Sequence, residues 1–421
     1  MGSLKRRLIK AKKIGFFHYL RHCMVVLSRI TCKTISQTTT NTLLKFYQHL
    51  NLKDYIVLEC ESDMDDNPRA VYEYLLKTKW NNKHRIIWLV KNVEKCKELY
   101  SEKNVVFLNR NDLSTKNIRT LNYYLAVSKW LIFSHPYWFR KQRNNQVVVN
   151  IGHGNSFKRK AHSAKDLSNT YDWLLVTSEL SKKINQGFWG CPYEKMFICG
   201  YPRNDLLFTG KKESIFQALL ENYSNEKVIM CMPTYKQAQN WSDSSLEDKY
   251  AIEVIRSVDE LRSLNKWLFQ HKMHMLVKIH PLQDLSILRG IDLTNIHYLV
   301  NKDLFEKRII LYELLGCCDA LVTDLSSVYL DYLMLNRPIG FLMNSVLDYK
   351  RGYNIENPED YMPGERIFCY EDLLMFLNDF SLEIDKFSTQ RERINSMFNP
   401  AEQENTRKFI DILLHEFSVN N

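Results

Sequence analysis

From residue 54 onward the chain repeats one local pattern: a short apolar run, a turn, then a stretch with helical spacing. Tyr55-Ile-Val-Leu58, Arg85-Ile-Ile-Trp-Leu-Val90 and Val105-Val-Phe-Leu108 read as strands, separated by helical stretches at Asp66 to Leu76 and Glu94 to Tyr100. Pro68 stands early in the first of these helices, where its missing N–H costs nothing. Leu121 to Val127 is helical. Trp130-Leu-Ile-Phe133, Val147-Val-Val-Asn150 and Trp173-Leu-Leu-Val-Thr177 follow as strands, then a helix from Ser178 to Phe188 and a strand at Met196-Phe-Ile-Cys199. Strands that alternate with helices pair in parallel and are covered on both faces. Reactive side chains then gather beyond the carboxyl ends of the strands.

The pattern restarts after Thr209-Gly210-Lys211, with strands at Lys227 to Met232, Met275 to Ile279, Ile296 to Val300, Ala320 to Val322 and Ile339 to Leu342. A chain of 421 residues suits two domains. The expected fold is α/β: two doubly wound, Rossmann-like domains facing across a cleft, a GT-B-like architecture. Residues 54–210 form the first domain and 211–421 the second, preceded by a basic helical leader over 1–53.

Charge sets the leader apart. Residues 1–53 hold eleven Lys or Arg and no Asp or Glu, which leaves the rest of the chain at −1 out of a net +10. A near-neutral body argues against a nucleic-acid partner. The leader mixes cations with Leu8, Ile9, Ile14, Phe16, Phe17 and Leu20, a composition that lies on an anionic membrane surface. It has no apolar run long enough to span a bilayer. Arg21 and Arg29 bracket its most apolar part, unlike a secretory signal, and Arg6 spoils a myristoylation signal. The ten cysteines have no paired spacing and read as buried thiols of a reducing compartment. No metal-ligand spacing appears, and no cofactor is implied.

Chemistry collects at the strand ends. Ala320 to Val322 runs into Thr323-Asp324-Leu325-Ser326-Ser327, and a helical pattern starts at once. The serines can cap that helix, and such a turn also receives phosphate. Upstream, His153 sits between two glycines in Asn150-Ile-Gly-His-Gly-Asn-Ser-Phe-Lys158, placed as a general base. Lys158 can meet a phosphate. Lys278-Ile279-His280-Pro281 ends another strand, and Pro233-Thr234-Tyr235-Lys236 has the same form one strand earlier. With Arg351-Gly352 downstream, these ends together fit an anionic, phosphorylated ligand. Each motif alone also reads as an ordinary turn or cap.

In this order the motifs resemble the CDP-glycerol glycerophosphotransferase family of teichoic-acid synthesis. They are His153-Gly-Asn-Ser-Phe-Lys158, Gly200-Tyr-Pro-Arg-Asn-Asp205, Pro233-Thr-Tyr-Lys236, His280-Pro281, Asp324-Leu-Ser-Ser-Val-Tyr-Leu-Asp331 and Arg351-Gly352. The chain departs from the family pattern at Gly152, at Asn155-Ser156-Phe157 and at Lys236. The resemblance implies transfer of glycerol phosphate, or else ribitol phosphate, from CDP-glycerol or CDP-ribitol to a lipid-linked saccharide or polymer. It puts the acceptor in the first half and the donor in the second, while the basic leader places the protein peripherally at the cytoplasmic face of the cell membrane. On this reading His153 is the base and His280 assists the leaving phosphate. Thr234, Lys236, Lys278, Asp324, Ser326, Ser327 and Arg351 hold the donor, and Lys158 and Arg203 meet acceptor or phosphate. Two alternatives stand beside it: a glycosyltransferase of this architecture using a nucleotide sugar, and a non-catalytic, membrane-attached nucleotide-binding component of a polymer assembly complex. The oligomeric state, a homo-oligomer included, is left open.

Overall fold

The computed structural model describes residues 42–43, 45–135, 143–159, 170–221, 223–233, 250–279, 288, 290–347, 352–401 and 403–419. Two all-parallel sheets form. The first contains β1 (Lys53–Glu59), β2 (Arg85–Val90), β3 (Val105–Asn109), β4 (Ser128–Phe133), β5 (Val147–Asn150), β6 (Trp173–Val176) and β7 (Met196–Ile198), in the order β3-β2-β1-β4-β5-β6-β7. The second contains β8 (Lys227–Cys231), β9 (Met273–Lys278), β10 (Ile296–Leu299), β11 (Ala320–Thr323), β12 (Ile339–Leu342) and β13 (Glu365–Ile367), in the order β10-β9-β8-β11-β12-β13. Both repeat the order of a doubly wound sheet, as the alternation predicts. Their runs are apolar without alternation because both faces are covered; Ile56, Val57 and Leu58 are all fully buried.

In such sheets the ligand crevice opens where the strand order reverses, between β1 and β4 and again between β8 and β11. Register then decides which residues meet there. Phe133 of β4 lies opposite Glu59 of β1 and Asn150 of β5, so the segments after residues 59, 133 and 150 emerge side by side. In the second sheet Val322 lies opposite Cys231, and the Thr323 hydroxyl donates to the Met232 carbonyl (2.7 Å). The chain after β8 therefore adjoins the turn after β11.

One element departs from the sequence division. The helix Asn405–Val419 packs on the first half, with Phe409, Ile410 and Leu413 in the core beneath β1 and β2. The Asp205 carboxylate accepts from the backbone N–H groups of Asn405 and Thr406 (3.0 and 2.8 Å), pinning the helix start. Gly200 leaves room for this: a Cβ there would lie 2.0 Å from the Asn405 side-chain oxygen. Among the described residues no helix is long and apolar enough to cross a membrane. The leader up to residue 41 lies outside the described residues.

Candidate active site

The loop after β5 carries His153. Asn150 turns it by accepting from the Gly152 N–H (2.9 Å), and Gly152 adopts a left-handed φ of 63°. The Asn67 side-chain amide donates to the carbonyls of Ile151 and Gly152 (3.1 and 3.0 Å), fixing the two residues before the histidine. The His153 Nδ1 lies 3.4 Å from the Ser134 carbonyl oxygen. A carbonyl only accepts, so Nδ1 carries the proton and the basic lone pair is on Nε2. The imidazole of His135 is stacked on that of His153, with centroids 4.3 Å apart. His135 is itself held by the Ser134 hydroxyl (3.1 Å) and faces the Glu61 carboxylate (3.3 Å).

Burial pushes His153 down to about 3, helped by His135 and Arg203 and opposed by Asp66. His135 is pushed down to about 4, again mainly by burial. Both rings are therefore neutral at pH 7, the form in which an imidazole can take a proton. Asp66 is the carboxylate that faces both. Burial raises its pKa, but Arg203 and the two histidines outweigh this and hold it below the usual range. Its backbone has φ 61°, a strained conformation for a residue that opens a helix (Asp66–Lys77).

The His153 loop reaches the other half. Phe157 is buried in the second core against Tyr329, Tyr361 and Phe398. Lys158 bridges to Tyr353 in antiparallel fashion. Arg159 N–H donates to the Gly352 carbonyl (3.1 Å), and Asn354 N–H to that of Phe157 (2.6 Å). Thus two motifs almost 200 residues apart are laced together. Closer to the histidine, Gly154 has φ 122°, and a Cβ there would lie 2.5 Å from Ser327 Oγ. The serine turn after β11 and the histidine loop touch.

The turn itself differs from expectation in one respect. Ser327 has helical φ and ψ, and its side chain makes no capping bond to the helix Val328–Tyr332. Ser326 and Ser327 are half-buried at the end of β11, and Asp324 is buried beside them. Arg203 also differs. Its guanidinium is buried between Asp66 and Asp331, at 2.6 Å from each, rather than facing an acceptor. Lys278 is engaged too. Its amine donates to the Asn301 side chain, whose amide in turn donates to the Ser62 hydroxyl (2.8 Å) in the first half. Burial lowers the Lys278 pKa, with Asp65 and Asp303 opposing. Thr234, Lys236, His280 and Arg351 lie outside the described residues. Among the described residues no group of three His, Cys, Asp or Glu side chains could hold a metal ion.

The sequence reading missed Asp66 and His135. His135 had a signal, since it follows the end of β4 by two residues, much as His153 follows the end of β5 by three. Asp66 was legible only as a helix start, because its partner Arg203 is 137 residues away.

Comparison with known proteins follows the same lines. The family model described as CDP-Glycerol:Poly(glycerophosphate) glycerophosphotransferase matches residues 43–414. A teichoic acid poly(glycerol phosphate) polymerase of Bacillus spizizenii is 26% identical over 382 residues, covering 83% of this chain and 88% of the relative. Two further poly(glycerol phosphate) polymerases, of Staphylococcus epidermidis and Bacillus subtilis, are matched over only 41% and 42% of their length. A teichoic acid poly(ribitol-phosphate) polymerase, also of Bacillus spizizenii, is 25% identical, covering 70% of this chain and 50% of the relative. Among solved structures, the wall teichoic acid polymerase TagF superposes with a TM-score of 0.70 at 21% identity, covering 95% of this chain and 99% of that one. This last likeness confirms the fold.

Proposed function

The chain belongs to the CDP-glycerol:poly(glycerophosphate) glycerophosphotransferase family, and from that premise we propose that it transfers glycerol phosphate, with ribitol phosphate second, from a CDP-alditol to a lipid-linked saccharide or polymer. The acceptor hydroxyl oxygen attacks the phosphorus that carries the alditol. The bond from that phosphorus to the CMP oxygen breaks, a phosphodiester forms and CMP leaves. His153 takes the hydroxyl proton at Nε2. Ser326 and Ser327 donate to the pyrophosphate, and Lys236 and Arg351 balance its charge. Thr234, Lys278 and Asp324 complete the donor side, with Lys278 acting through Asn301. His280 assists the departing phosphate, and Lys158 meets acceptor or phosphate. Fixed donors aimed at developing phosphate charge are what this transfer needs.

The observation that carries this reading is the contact between Gly154 and Ser327, which sets a neutral imidazole on one half next to a hydroxyl turn on the other. A phosphate arriving at that turn favours the imidazolium, so His153 grows more basic as donor binds. The basic leader attaches the protein peripherally to the anionic cytoplasmic face, where a lipid-linked acceptor is presented. Assaying CMP release from CDP-glycerol and CDP-ribitol against release of nucleotide from nucleotide sugars tests the reading. Turnover of a nucleotide sugar alone would make the chain a glycosyltransferase.

A further inference from the structure

Four threads of this site meet at Arg203. Its Nη1 donates to Asp66, its Nη2 to Asp331, and its backbone N–H to the Asn67 side chain, at 2.6, 2.6 and 3.0 Å. Its guanidinium also stands over the ring of Tyr312 at 4.7 Å. We propose that Arg203 is a positioning residue that locks the donor turn and the base-bearing loop into one geometry. The proposal rests on the transferase reading above.

Each partner of Arg203 leads to one side of the reaction. Asp66 faces both imidazoles. Asn67 holds the carbonyls of the two residues before His153. Asp331 lies on the short helix that starts at the donor turn, and the Tyr312 hydroxyl, from the helix Leu311–Cys317, donates to the same Asp331 oxygen (2.6 Å). There is no slack between the sides, since a Cβ on Gly154 would lie 2.8 Å from Arg203 Nη2 and 2.5 Å from Ser327 Oγ. The planar, five-donor fork of arginine suits two carboxylates at once, which a lysine ammonium does not. Arg203 Nε and Asp331 Oδ1 are buried without a hydrogen-bond partner among the described residues. A clasp built for stability alone has no reason to carry that cost.

The charges that face His153 are Asp66, Arg203 and the imidazole of His135, which is in turn faced by Glu61, Arg110 and Lys91. Signs follow. Removing the Asp66 charge leaves Arg203 opposite the base and makes it harder to protonate. Removing the Arg203 charge leaves Asp66 and makes it easier.

The test uses the full chain with CDP-glycerol and a soluble acceptor, comparing D66N, D331N and R203Q. D331N is expected to raise the donor KM at least severalfold with the acid limb of kcat/KM in place. D66N is expected to move that limb to lower pH with little change in donor KM. R203Q is expected to raise the donor KM and to move the limb to higher pH by about one unit or more, the size of a neighbouring charge's effect. Because R203Q strands two buried carboxylates and can fail to fold, the near-isosteric D66N and D331N decide the matter by themselves. Variants that lose only thermal stability, with KM and pH profile unmoved, overturn the role of Arg203. A wild-type protein that turns over no CDP-alditol overturns the transferase reading and this proposal with it.

Discussion

His135 and His153 lie face to face, their ring planes 18° from parallel and their centroids 4.3 Å apart. The residues follow consecutive strands, and β4 and β5 carry them side by side by pairing in register. The stack fixes the plane of the His153 imidazole, and with Nδ1 on the Ser134 carbonyl it aims Nε2. Aromatic pairs contribute about 0.5–1.5 kcal/mol beyond burial. Replacing His135 by Ala should therefore lower kcat/KM roughly twofold to tenfold, while His135→Phe, which keeps a ring, should retain most activity. Steady-state kinetics on both variants checks this; equal losses in the two would mean that the ring stack does not matter.

Gly154→Ala is expected to damage donor binding from the opposite half of the molecule. The substitution strains a φ of 122° and drives a methyl into Ser327. On the proposed reading the double change Ser326→Ala with Ser327→Ala removes two donors to a charged group, each contributing about 1.5–3 kcal/mol. It should weaken CDP-donor binding by at least roughly tenfold. Calorimetric titration of donor reads both; an unchanged affinity in the double variant would reduce the serines to turn formers.

The contribution of His297 to stability should fall as pH drops below about 6.5, the ordinary histidine pKa of the unfolded chain. His297, pushed down mainly by burial and then by His274, has a folded value of about 4. Between those two values the unfolded state binds more protons, so unfolding free energy rises with pH and is lost on acidification. Glu59 works in the opposite sense: burial lifts it to about 7 against the pull of Arg110, so from about 4.5 to 7 the folded state holds the extra proton. Urea unfolding of His297→Gln at pH 4.5 and 7 should show a flatter dependence than wild type. An identical slope would mean that the His274–His297 contact of 3.1 Å is not linked to folding.

Deleting residues 2–30 should release the protein from anionic vesicles and spare turnover of a short, water-soluble acceptor. Seven Lys or Arg lie in residues 1–22, each contributing ~1 kcal/mol near an anionic surface. High salt should weaken attachment of the intact chain only in part, because apolar contacts are not screened. Vesicle sedimentation that finds equal binding with and without the segment would place the membrane contact elsewhere.

The legible part of this molecule was local. Apolar runs bounded by turns identified the strands, and the His153 and Ser326-Ser327 motifs stood out at strand ends that the fold brings together. The pairings across the cleft were not legible, because they join residues far apart in sequence through geometry no single segment encodes. Arg203 shows the difference. Its motif was visible, yet only the folded chain puts Asp66 and Asp331 on either side of it. The turn at Ser326-Ser327 shows another. Its residue types allow a cap, but the backbone of Ser327 is already helical and so cannot serve as one. The last helix escaped the two-way division because nothing in its own sequence says which core it joins; Phe409, Ile410 and Leu413 join the first, and the Asp205 carboxylate holds its start there.

The most direct test is mass analysis of the product formed on a defined lipid-linked acceptor with CDP-glycerol, run beside His153→Ala. The account predicts that the acceptor gains one or more glycerol phosphate units, with one CMP released per unit, and that the variant adds none while binding donor nearly as well. An acceptor that gains a sugar, or a His153→Ala protein that adds units at the normal rate, would contradict it.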